Sequence, residues 1–366
     1  MTVTAAVTEV GRAPFALREV ELDSLRADEV RVQIAACGVC HTDLSLRDQL
    51  FESPLPIVLG HEGAGVVREV GAAVTRAAPG DRVTLSYNSC GHCRSCVTGV
   101  PAHCYEHAER NFGSQRPDGS TAITLDGERV ASHFFGQSSF ATEAVVAERT
   151  VMRIDDDVPF ELVAPFGCGV QTGAGTVLNV FRPPAGSAIA VFGAGCVGIS
   201  AVMAARVAGC GKIIAVDLVG SRLELALELG ATDVVDAAAG DAVAAIAQLT
   251  GGGVDYALDA TGVPAVLRQA VDCTRPLGTT AIVGSPAPGS ELPLDIIAMI
   301  ISGKSVIGVA EGRSVPQLFI PRLLELWRQG RFPVDRIIET FPFEQINEAA
   351  EAAHSGRVIK PVLMMS

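Results

Sequence analysis

The stretch AIAVFGAGCVG, residues 188–198, decides the fold. Five apolar residues of β-strand type lead directly into a glycine-rich turn, and an apolar helical pattern follows. The turn consists of Gly193, Ala194, Gly195, Cys196, Val197 and Gly198. Glycines in this pattern allow a tight turn, the approach of a pyrophosphate to the backbone, and close packing of helix on strand. The stretch therefore predicts a strand, turn and helix that bind a dinucleotide.

The segments around this turn continue the same alternation of strands and helices. From about residue 170 to 309, apolar strands such as Lys212–Asp217 and Val254–Asp259 alternate with helical stretches such as Ser221–Leu229. This pattern predicts an α/β fold, a doubly wound parallel sheet of Rossmann type. Asp217 ends the second strand, where a carboxylate would bond the ribose hydroxyls of NAD and repel the 2′-phosphate of NADP. We therefore expect NAD as the cofactor.

The remainder of the chain predicts a second domain. Up to about residue 150, short β-rich runs are separated by turn residues, which is typical of a mostly β domain. Glu109–Val130 is polar and weakly patterned, and we expect it to form a long surface loop. Near the end, an amphipathic stretch at Ile320–Gln329 precedes a strand at Ile359–Met364. The expected organisation is a catalytic domain over 1–169, an NAD-binding domain over 170–309, and a return to the catalytic domain over 310–366.

The composition excludes several classes of function. With 48% hydrophobic and 19% charged residues, the 366-residue chain can bury a large core and is not disordered. A net charge of −13 argues against binding to nucleic acid or anionic membranes, and favours small-molecule chemistry. The uncharged run Pro183–Ala205 contains the glycine turn and is expected to be buried rather than to span a membrane. Without a secretory signal pattern, we expect a cytoplasmic protein with reduced thiols.

The most specific metal signal is a group of four cysteines with the spacing C-x2-C-x2-C-x7-C. Its members are Cys90, Cys93, Cys96 and Cys104. Four thiolates this close in sequence can close a tetrahedral shell around zinc, and the interleaved glycines let the loop wrap the ion. The alternative is a set of reduced or redox-active thiols. A site closed by four thiolates leaves no open position, so we expect a structural zinc.

A second group of candidate ligands is dispersed along the chain. Cys40, His61 and Cys168 taken singly are more typical of packing or hydrogen-bonded residues. Together they offer two thiolates and one imidazole, which would bind zinc with a position left open for water or substrate oxygen. Asp43 is expected to accept a hydrogen bond from the ring of His61 and fix its tautomer, while Glu62 is expected to lie behind the metal.

Five motifs, in order, link these groups to a known family. They are CGVCHTD at 37–43, GHEGAGVV at 60–67, CGHCRSC at 90–96 with Cys104, GCGVQTGAGT at 167–176, and GAGCVG at 193–198. Together they resemble the medium-chain zinc-containing alcohol dehydrogenases over nearly the whole chain. Within that family the sequence looks most like the bacterial aryl-alcohol (benzyl alcohol) dehydrogenases, because of the loop before His133-Phe134-Phe135 and SVPQLFIP at 314–321.

The resemblance implies a role for each matching residue. It implies a GroES-like catalytic domain with a catalytic zinc on Cys40, His61 and Cys168, with Glu62 nearby and the Thr42 hydroxyl bonded to the substrate oxygen. It also implies cofactor contacts from His41 and Lys360 at the pyrophosphate, Arg222 at the adenosine ribose and Thr172 behind the nicotinamide. One position departs from the family pattern, because Ser45 replaces the usual proton-relay histidine. Ser45 would pass the proton to water, or His41 would substitute.

The implied reaction is the reversible oxidation of an alcohol to its aldehyde by NAD, with two zinc ions per chain. The positions that match the family's substrate pocket are Phe51, Ser86, Phe134, Phe135 and Ser285. An aromatic slot suits a primary aromatic or allylic alcohol, unless these phenylalanines only pack the domain interface. Geraniol-type terpene alcohols fit nearly as well, whereas polyols and glutathione adducts need polar anchors. A non-catalytic NAD-binding protein is the alternative outside enzymes. The family's homodimers or homotetramers are expected here.

Overall fold

The computed structural model describes residues 1–365 and divides the chain into two compact units. The first unit contains Met1–Cys168, Val315–Pro321 and the chain from Asp335 onward, and the second contains Gly169–Ser314 and Arg322–Val334.

The strands are β1 (Thr2–Thr8), β2 (Ala16–Leu22), β3 (Glu29–Gly38), β4 (Ile57–Val58), β5 (Gly63–Val70), β6 (Arg82–Leu85), β7 (Ile123–Leu125), β8 (Glu128–Val130), β9 (Glu143–Ala147), β10 (Val151–Arg153), β11 (Ala188–Phe192), β12 (Lys212–Asp217), β13 (Asp233–Asp236), β14 (Val254–Asp259), β15 (Thr274–Ile282), β16 (Ser305–Gly308), β17 (Ile338–Pro342) and β18 (Lys360–Met364). The α-helices are α1 (His41–Arg47), α2 (Arg94–Val97), α3 (His107–Phe112), α4 (Phe160–Val163), α5 (Gly169–Gly175), α6 (Cys196–Ala208), α7 (Gly220–Leu229), α8 (Ala242–Thr250), α9 (Pro264–Asp272), α10 (Ile296–Ser302), α11 (Pro316–Arg328) and α12 (Ile346–His354).

The second unit is built on a parallel sheet of six strands in the order β13-β12-β11-β14-β15-β16. Every residue of β11 is buried, as expected for a central parallel strand with both faces covered by helices. Two βαβαβ halves meet between β11 and β14, the switch point at which such sheets bind dinucleotides. The Rossmann fold predicted from the glycine turn is confirmed.

The first unit contains two further sheets. Five strands pair in the order β4-β1-β2-β7-β8, and the larger sheet has the order β10-β6-β5-β3-β18-β17, with β9 also on β3. The alternation of Val30, Val32 and Ile34 buries one face of β3 in the core. The final strand β18 pairs antiparallel with β3, with Val362 opposite Gly38. The C-terminal segment thus belongs to the sheet that carries the residues around Cys40.

The uncharged run of the glycine turn ends in α6, which spans 13 residues from Cys196 to Ala208. Because α6 begins within the glycine turn, β11 and α6 are separate elements and do not form one long apolar helix. Across residues 1–365, no helix combines the length and apolarity that crossing a membrane requires.

The prediction of a surface loop over Glu109–Val130 is wrong. The segment begins in α3 and ends in the hairpin of β7 and β8, which extends the five-stranded sheet through β2. Its polar sequence is misleading because Arg116 is buried and fully paired. Arg116 donates to both oxygens of Glu29, at 2.7 and 2.9 Å, and to Asp23 at 2.8 Å. Arg116 therefore forms a buried ion-pair network with Glu29, while most of the other charged residues of the segment are exposed.

Glu29 is the central anion of this network. Burial raises its pKa, but hydrogen bonds from His133 and Arg116 outweigh burial and lower the pKa from 4.5 to about 2. Stabilisation by the Glu29 carboxylate is therefore complete above pH 4.5 and is lost as the pH falls towards 2.

Replacing Arg116 with methionine is expected to lower the free energy of unfolding by about 3–5 kcal/mol at pH 7, because the buried Glu29 carboxylate loses both hydrogen bonds from the guanidinium and keeps the His133 ring as its side-chain partner. Urea unfolding measures this change. Arg26→Met is the matched control, since Arg26 pairs with the exposed Asp118 and should cost less than about 1 kcal/mol. Equal effects of the two substitutions would contradict the role of the buried network.

Candidate metal centres and cofactor turn

The four cysteines of the loop after β6 converge in the first unit. Their Sγ atoms lie within 4.8 Å of one another, with 3.8 Å between Cys90 and Cys96 and 4.0 Å between Cys93 and Cys104. A tetrahedron with zinc–sulfur bonds of about 2.3 Å has sulfur–sulfur edges of about 3.8 Å. All four residues are free of disulfides. The donor set therefore fits zinc in both chemistry and spacing.

Backbone groups favour the thiolate form at this loop. The amides of Cys90 and Glu106 donate to Cys104 Sγ at 3.3 and 3.4 Å, and the amide of Cys93 donates to Cys90 Sγ at 3.3 Å. A hydrogen bond from the backbone of Tyr105 helps to lower the pKa of the Cys93 thiol to about 6. Burial raises the pKa of Cys96 to about 12 and also raises that of Cys104, so the thiolate, the form that metals bind, is favoured at Cys93 in particular.

The dispersed candidates also meet within the first unit. Cys40 precedes α1, His61 and Glu62 precede β5, and Cys168 follows a 3-10 turn at Ala164–Gly167, yet their ligand atoms all lie within 4.8 Å of one another. His61 Nε2 is buried without a hydrogen-bond partner, which is costly for a polar atom unless it binds a metal. A hydrogen bond from Cys168 lowers the pKa of the Cys40 thiol well below its usual range, against the effect of burial. These donors fit zinc.

Asp43 fixes the orientation of His61. Its Oδ1 lies 2.9 Å from His61 Nδ1 and accepts from the amide of Gly60 at 3.0 Å, while Oδ2 accepts from the amide of Cys40 at 3.0 Å. The carboxylate is fully buried, so these contacts are shielded from water. With Nδ1 directed at Asp43, Nε2 is the nitrogen left for the metal.

Glu62 is paired with a lysine that the sequence associates with the cofactor pyrophosphate. Lys360 Nζ, at the start of β18, lies 3.0 and 2.8 Å from the two carboxylate oxygens of Glu62 and donates to Val39 O at 3.1 Å. Both side chains are buried. A side chain at Gly38 would overlap the Glu62 carboxylate. In this structure, therefore, Lys360 balances the charge of Glu62 behind the cysteine–histidine cluster.

The three residues proposed for proton transfer lie on α1. The Cys40 thiol donates to the Thr42 hydroxyl at 3.7 Å, so this hydroxyl lies beside the ligand cluster. Ser45 follows Thr42 by three residues and His41 by four, spacings that bring side chains onto one helical face. His41 is exposed, whereas Thr42 and Ser45 are partly buried.

Two of the three aromatic residues predicted for the substrate pocket lie against His61. Phe135 stacks on the His61 ring with centroids 4.5 Å apart, and Phe134 meets it edge-on at 5.3 Å. Both side chains are buried, while Phe51 is partly exposed and packs against the same core. Ser86 is buried and donates to Gly167 O at 2.6 Å. Ser285 is exposed and lies in the second unit, after β15.

Sequence reasoning missed Gln137. Its Nε2 donates to the backbone oxygens of His61 and Ser86, at 2.9 and 3.2 Å, and its Oε1 accepts from the amide of Gly63 at 3.1 Å. Gln137 thus holds the backbone on both sides of the His61 ligand position. No local motif marks it, because its partners are 51 to 76 residues away.

The glycine turn of the second unit has the shape that a pyrophosphate requires. Gly193 has a φ of +89°, and a side chain at Gly198 would overlap Gly193 O, so both positions need glycine. A side chain at Gly195 would meet only open space, which leaves room at the start of α6. Asp217, at the end of β12, accepts from the amide of Ala194 at 2.6 Å. The turn, including Cys196 and Val197, therefore fits a dinucleotide.

Two more of the proposed cofactor contacts lie in the second unit, whereas His41 and Lys360 lie in the first. Arg222 is in the first turn of α7, and Thr172 is in α5. Thr172 Oγ1 lies 3.5 Å from Glu311 Oε2, and Gln171 Nε2 lies 3.2 Å from the same oxygen. Glu311 has a φ of +48° and Arg313 a φ of +46°, an unusual backbone for non-glycine residues. Sequence reasoning did not identify this contact.

Comparison with known proteins decides the family. Residues 26–156 match the alcohol dehydrogenase GroES-like domain, and residues 196–327 match the zinc-binding dehydrogenase family. The whole chain is 46% identical to a geraniol dehydrogenase of Castellaniella defragrans, over 98% of that protein. The chain belongs to the zinc-containing medium-chain alcohol dehydrogenases. It is a zinc- and NAD-dependent alcohol dehydrogenase, with the GroES-like and Rossmann domains that the resemblance implied.

Two further relatives indicate the range of this alcohol dehydrogenase family. The crystal structure of benzyl alcohol dehydrogenase from Acinetobacter calcoaceticus matches with a TM-score of 0.96 and 44% identity, and each chain is covered completely. A class-3 alcohol dehydrogenase of Myxine glutinosa is 35% identical over 99% of this chain and 97% of its own length. These similarities establish an alcohol dehydrogenase.

Proposed function

We propose that this enzyme oxidises a primary aromatic or allylic alcohol to its aldehyde, reversibly, at a zinc held by Cys40, His61 and Cys168. The observation that carries the proposal is the convergence of these donors around a buried His61 Nε2 that has no hydrogen-bond partner. Zinc and NAD, when bound, supply the chemistry, by polarising the alcohol oxygen and accepting the hydride. The first unit is then the catalytic domain and the second the coenzyme domain.

The enzyme's own residues would orient the alcohol and remove its proton. Thr42, beside Cys40, would accept the hydroxyl proton, while Asp43 keeps His61 in the tautomer that presents Nε2. Ser45, on the same face of α1, would pass the proton to water, or His41 would take it. The buried aromatic residues around His61 would exclude water from the path of the hydride.

The aromatic surroundings of His61 support a flat or unsaturated substrate. Phe134 and Phe135 are buried against His61 and make the surroundings of this proposed zinc ligand apolar and aromatic. The other proposed pocket positions, Phe51, Ser86 and Ser285, carry no charge, whereas a polyol or a glutathione adduct requires polar or charged anchors. Similar chains include a geraniol and a benzyl alcohol dehydrogenase, so aromatic and terpene alcohols are both within the proposal.

A panel of alcohols with NAD and with NADP tests the substrate proposal. Benzyl alcohol, cinnamyl alcohol and geraniol should have kcat/KM values at least about 100-fold above that of sorbitol, because the pocket lacks partners for polar hydroxyls. S-hydroxymethylglutathione should also be a poor substrate. Preferential oxidation of sorbitol or of the glutathione adduct would contradict the proposal.

We also propose that the enzyme is a homo-oligomer assembled through the second unit. Strand β16 is the edge of the six-stranded sheet, and the nearby helix α10 exposes four isoleucines to solvent. They are Ile296, Ile297, Ile300 and Ile301, each at least 64% exposed. An unpaired edge beside an apolar patch is suited to a second copy, which can continue the sheet and cover the patch by two-fold symmetry.

The double substitution Ile297→Glu and Ile301→Glu is therefore expected to dissociate the oligomer into monomers of 38.0 kDa, because each of the two copies would bury two carboxylates at the interface. Light scattering after size-exclusion chromatography measures the mass. Leu227→Glu, at an exposed apolar residue on α7, is the control and should leave the mass unchanged. A monomeric parent protein would rule out this assembly.

A further inference from the structure

An arginine lies against the four-cysteine loop. Gly91, between the ligand candidates Cys90 and Cys93, has a φ of +80°, and a side chain there would fall on Cζ and both Nη atoms of Arg149. The guanidinium therefore covers Gly91 face-on. Gly91 must be glycine both for its backbone conformation and for this contact. The backbone of Gly91 is also hydrogen-bonded to the Cys96 thiol, so the arginine covers a part of the loop that contacts a ligand atom.

The charge of Arg149 has no anionic partner in the described chain. Within residues 1–365 its guanidinium forms neither an ion pair nor a hydrogen bond, and its Nε is buried. Two neighbouring basic side chains already have an acidic partner, since Arg110 lies 2.6 Å from Glu106 and His92 lies 3.5 Å from it. A partly buried cation without a partner is unfavourable unless negative charge is nearby.

Zinc in the four-cysteine site would supply that negative charge. Four thiolates around one Zn²⁺ have a net charge of about −2. The amide hydrogen bonds to Cys90 and Cys104 offset part of this charge, but none of them carries a full positive charge. The guanidinium of Arg149, which lies over Gly91, is positioned to offset the rest of this negative charge.

Arg149 also separates the loop from a cavity. It lines a cavity of about 470 Å³ in the first unit, together with Asn88, Glu106 and Arg110. Asn88 and Glu106 flank the loop on either side in sequence. Loss of the Arg149 side chain would join the cavity to the space over Gly91, and would give solvent and small chelators a route to the thiolates.

We propose that Arg149 is a charge-compensating cover of the four-cysteine zinc site, which stabilises bound zinc and slows its exchange. This proposal rests on the proposed assignment of that site to zinc. Arg149 has no part in the alcohol chemistry, so its effect should appear in zinc retention and thiol protection.

The test compares Arg149→Met and Arg149→Lys with the control Arg153→Met, which removes an equal charge from an exposed residue four positions further on. Zinc release from each holoenzyme is followed with the chelator 4-(2-pyridylazo)resorcinol. Alkylation of Cys90, Cys93, Cys96 and Cys104 by iodoacetamide, read by peptide mass spectrometry, assigns the release to this site. Arg149→Met should release this zinc about tenfold faster than the parent protein, the size expected for loss of an outer-shell partner. The rate of zinc release from Arg149→Lys should lie between those of Arg149→Met and the parent protein, and the rate from Arg153→Met should equal that of the parent.

Equal release and alkylation rates for Arg149→Met and Arg153→Met would overturn the proposal. If Arg149→Met fails to fold, Arg149→Gln replaces it, and equal rates for Arg149→Gln and Arg149→Lys would then overturn the role of charge. Absence of zinc from the four cysteines of the parent protein is a different outcome, because it would refute the zinc assignment itself.

Discussion

Replacing Cys168 with alanine should reduce bound zinc from two ions to one per chain and lower kcat/KM for alcohol oxidation at least about 1000-fold. Two of the three proposed ligands would remain, Cys40 and His61, and the neighbouring Glu62 is held by Lys360. Lewis-acid stabilisation of the developing alkoxide is worth several kcal/mol, which corresponds to a rate loss of this size.

Metal analysis and steady-state kinetics with benzyl alcohol and NAD measure both effects. Cys210→Ala is the matched control, because Cys210 lies in the second unit outside both cysteine clusters. Binding of NADH, followed by fluorescence, should be retained in both variants and reports on the integrity of the coenzyme unit. A Cys168→Ala protein that keeps two zinc ions and more than a tenth of the activity would remove Cys168 from the ligand set.

The substitution Asp217→Ser should change the ratio of kcat/KM values for NAD and NADP by about 100-fold in favour of NADP, or roughly 2.7 kcal/mol. Asp217 ends β12, and its carboxylate accepts from the amides of Ala194 and Val219 at 2.6 and 2.9 Å. These contacts hold the negative charge beside the glycine turn, where it would bond the ribose hydroxyls of NAD and repel a 2′-phosphate.

Asp236→Asn is the control for this specificity change. Asp236 ends the neighbouring strand β13 directly opposite Asp217, so the control removes an equal charge from the same sheet edge. Its ratio of kcat/KM values should stay within about threefold of the parent ratio, since ion pairs and charges on an exposed surface act weakly. An unchanged ratio in Asp217→Ser would show that another group excludes NADP.

The fold was predictable where local patterns carry the information. The strand at 188–192 and the glycine turn at 193–198 belong to one continuous segment, which is typical of the first βαβ unit of a Rossmann fold. A surface loop was wrongly predicted for Glu109–Val130 because polar segments are normally exposed. Arg116 is buried because it pairs with Glu29, 87 residues earlier, and no local sequence pattern predicts a pair so far apart.

The candidate site, like the fold, could be predicted from sequence only where a local pattern defines it. Spacing alone pointed to the four cysteines, because all their ligand atoms come from one short loop. The dispersed cluster needed the family resemblance, since Cys40, His61 and Cys168 are brought together only by the folding of β3, β5 and the turn before α5. The pairing of Lys360 with Glu62 spans 298 residues, and no periodicity or motif predicts it.

The buried position of Phe134 and Phe135 against His61 was equally beyond sequence reasoning. An aromatic pair in a loop is compatible with a solvent-lined pocket and with a packed core. The structure stacks Phe135 on the ring of a proposed zinc ligand, so the buried phenylalanines pack against His61 and hold it in apolar surroundings.

The zinc content of the purified parent enzyme, measured by inductively coupled plasma mass spectrometry together with its benzyl alcohol activity, tests the account most directly. Two zinc ions per chain are expected, one at each cysteine cluster. Removal of the ion bound by Cys40, His61 and Cys168 should abolish oxidation by NAD, and zinc addition should restore it. Full activity in a protein that contains one zinc ion or none would contradict the account.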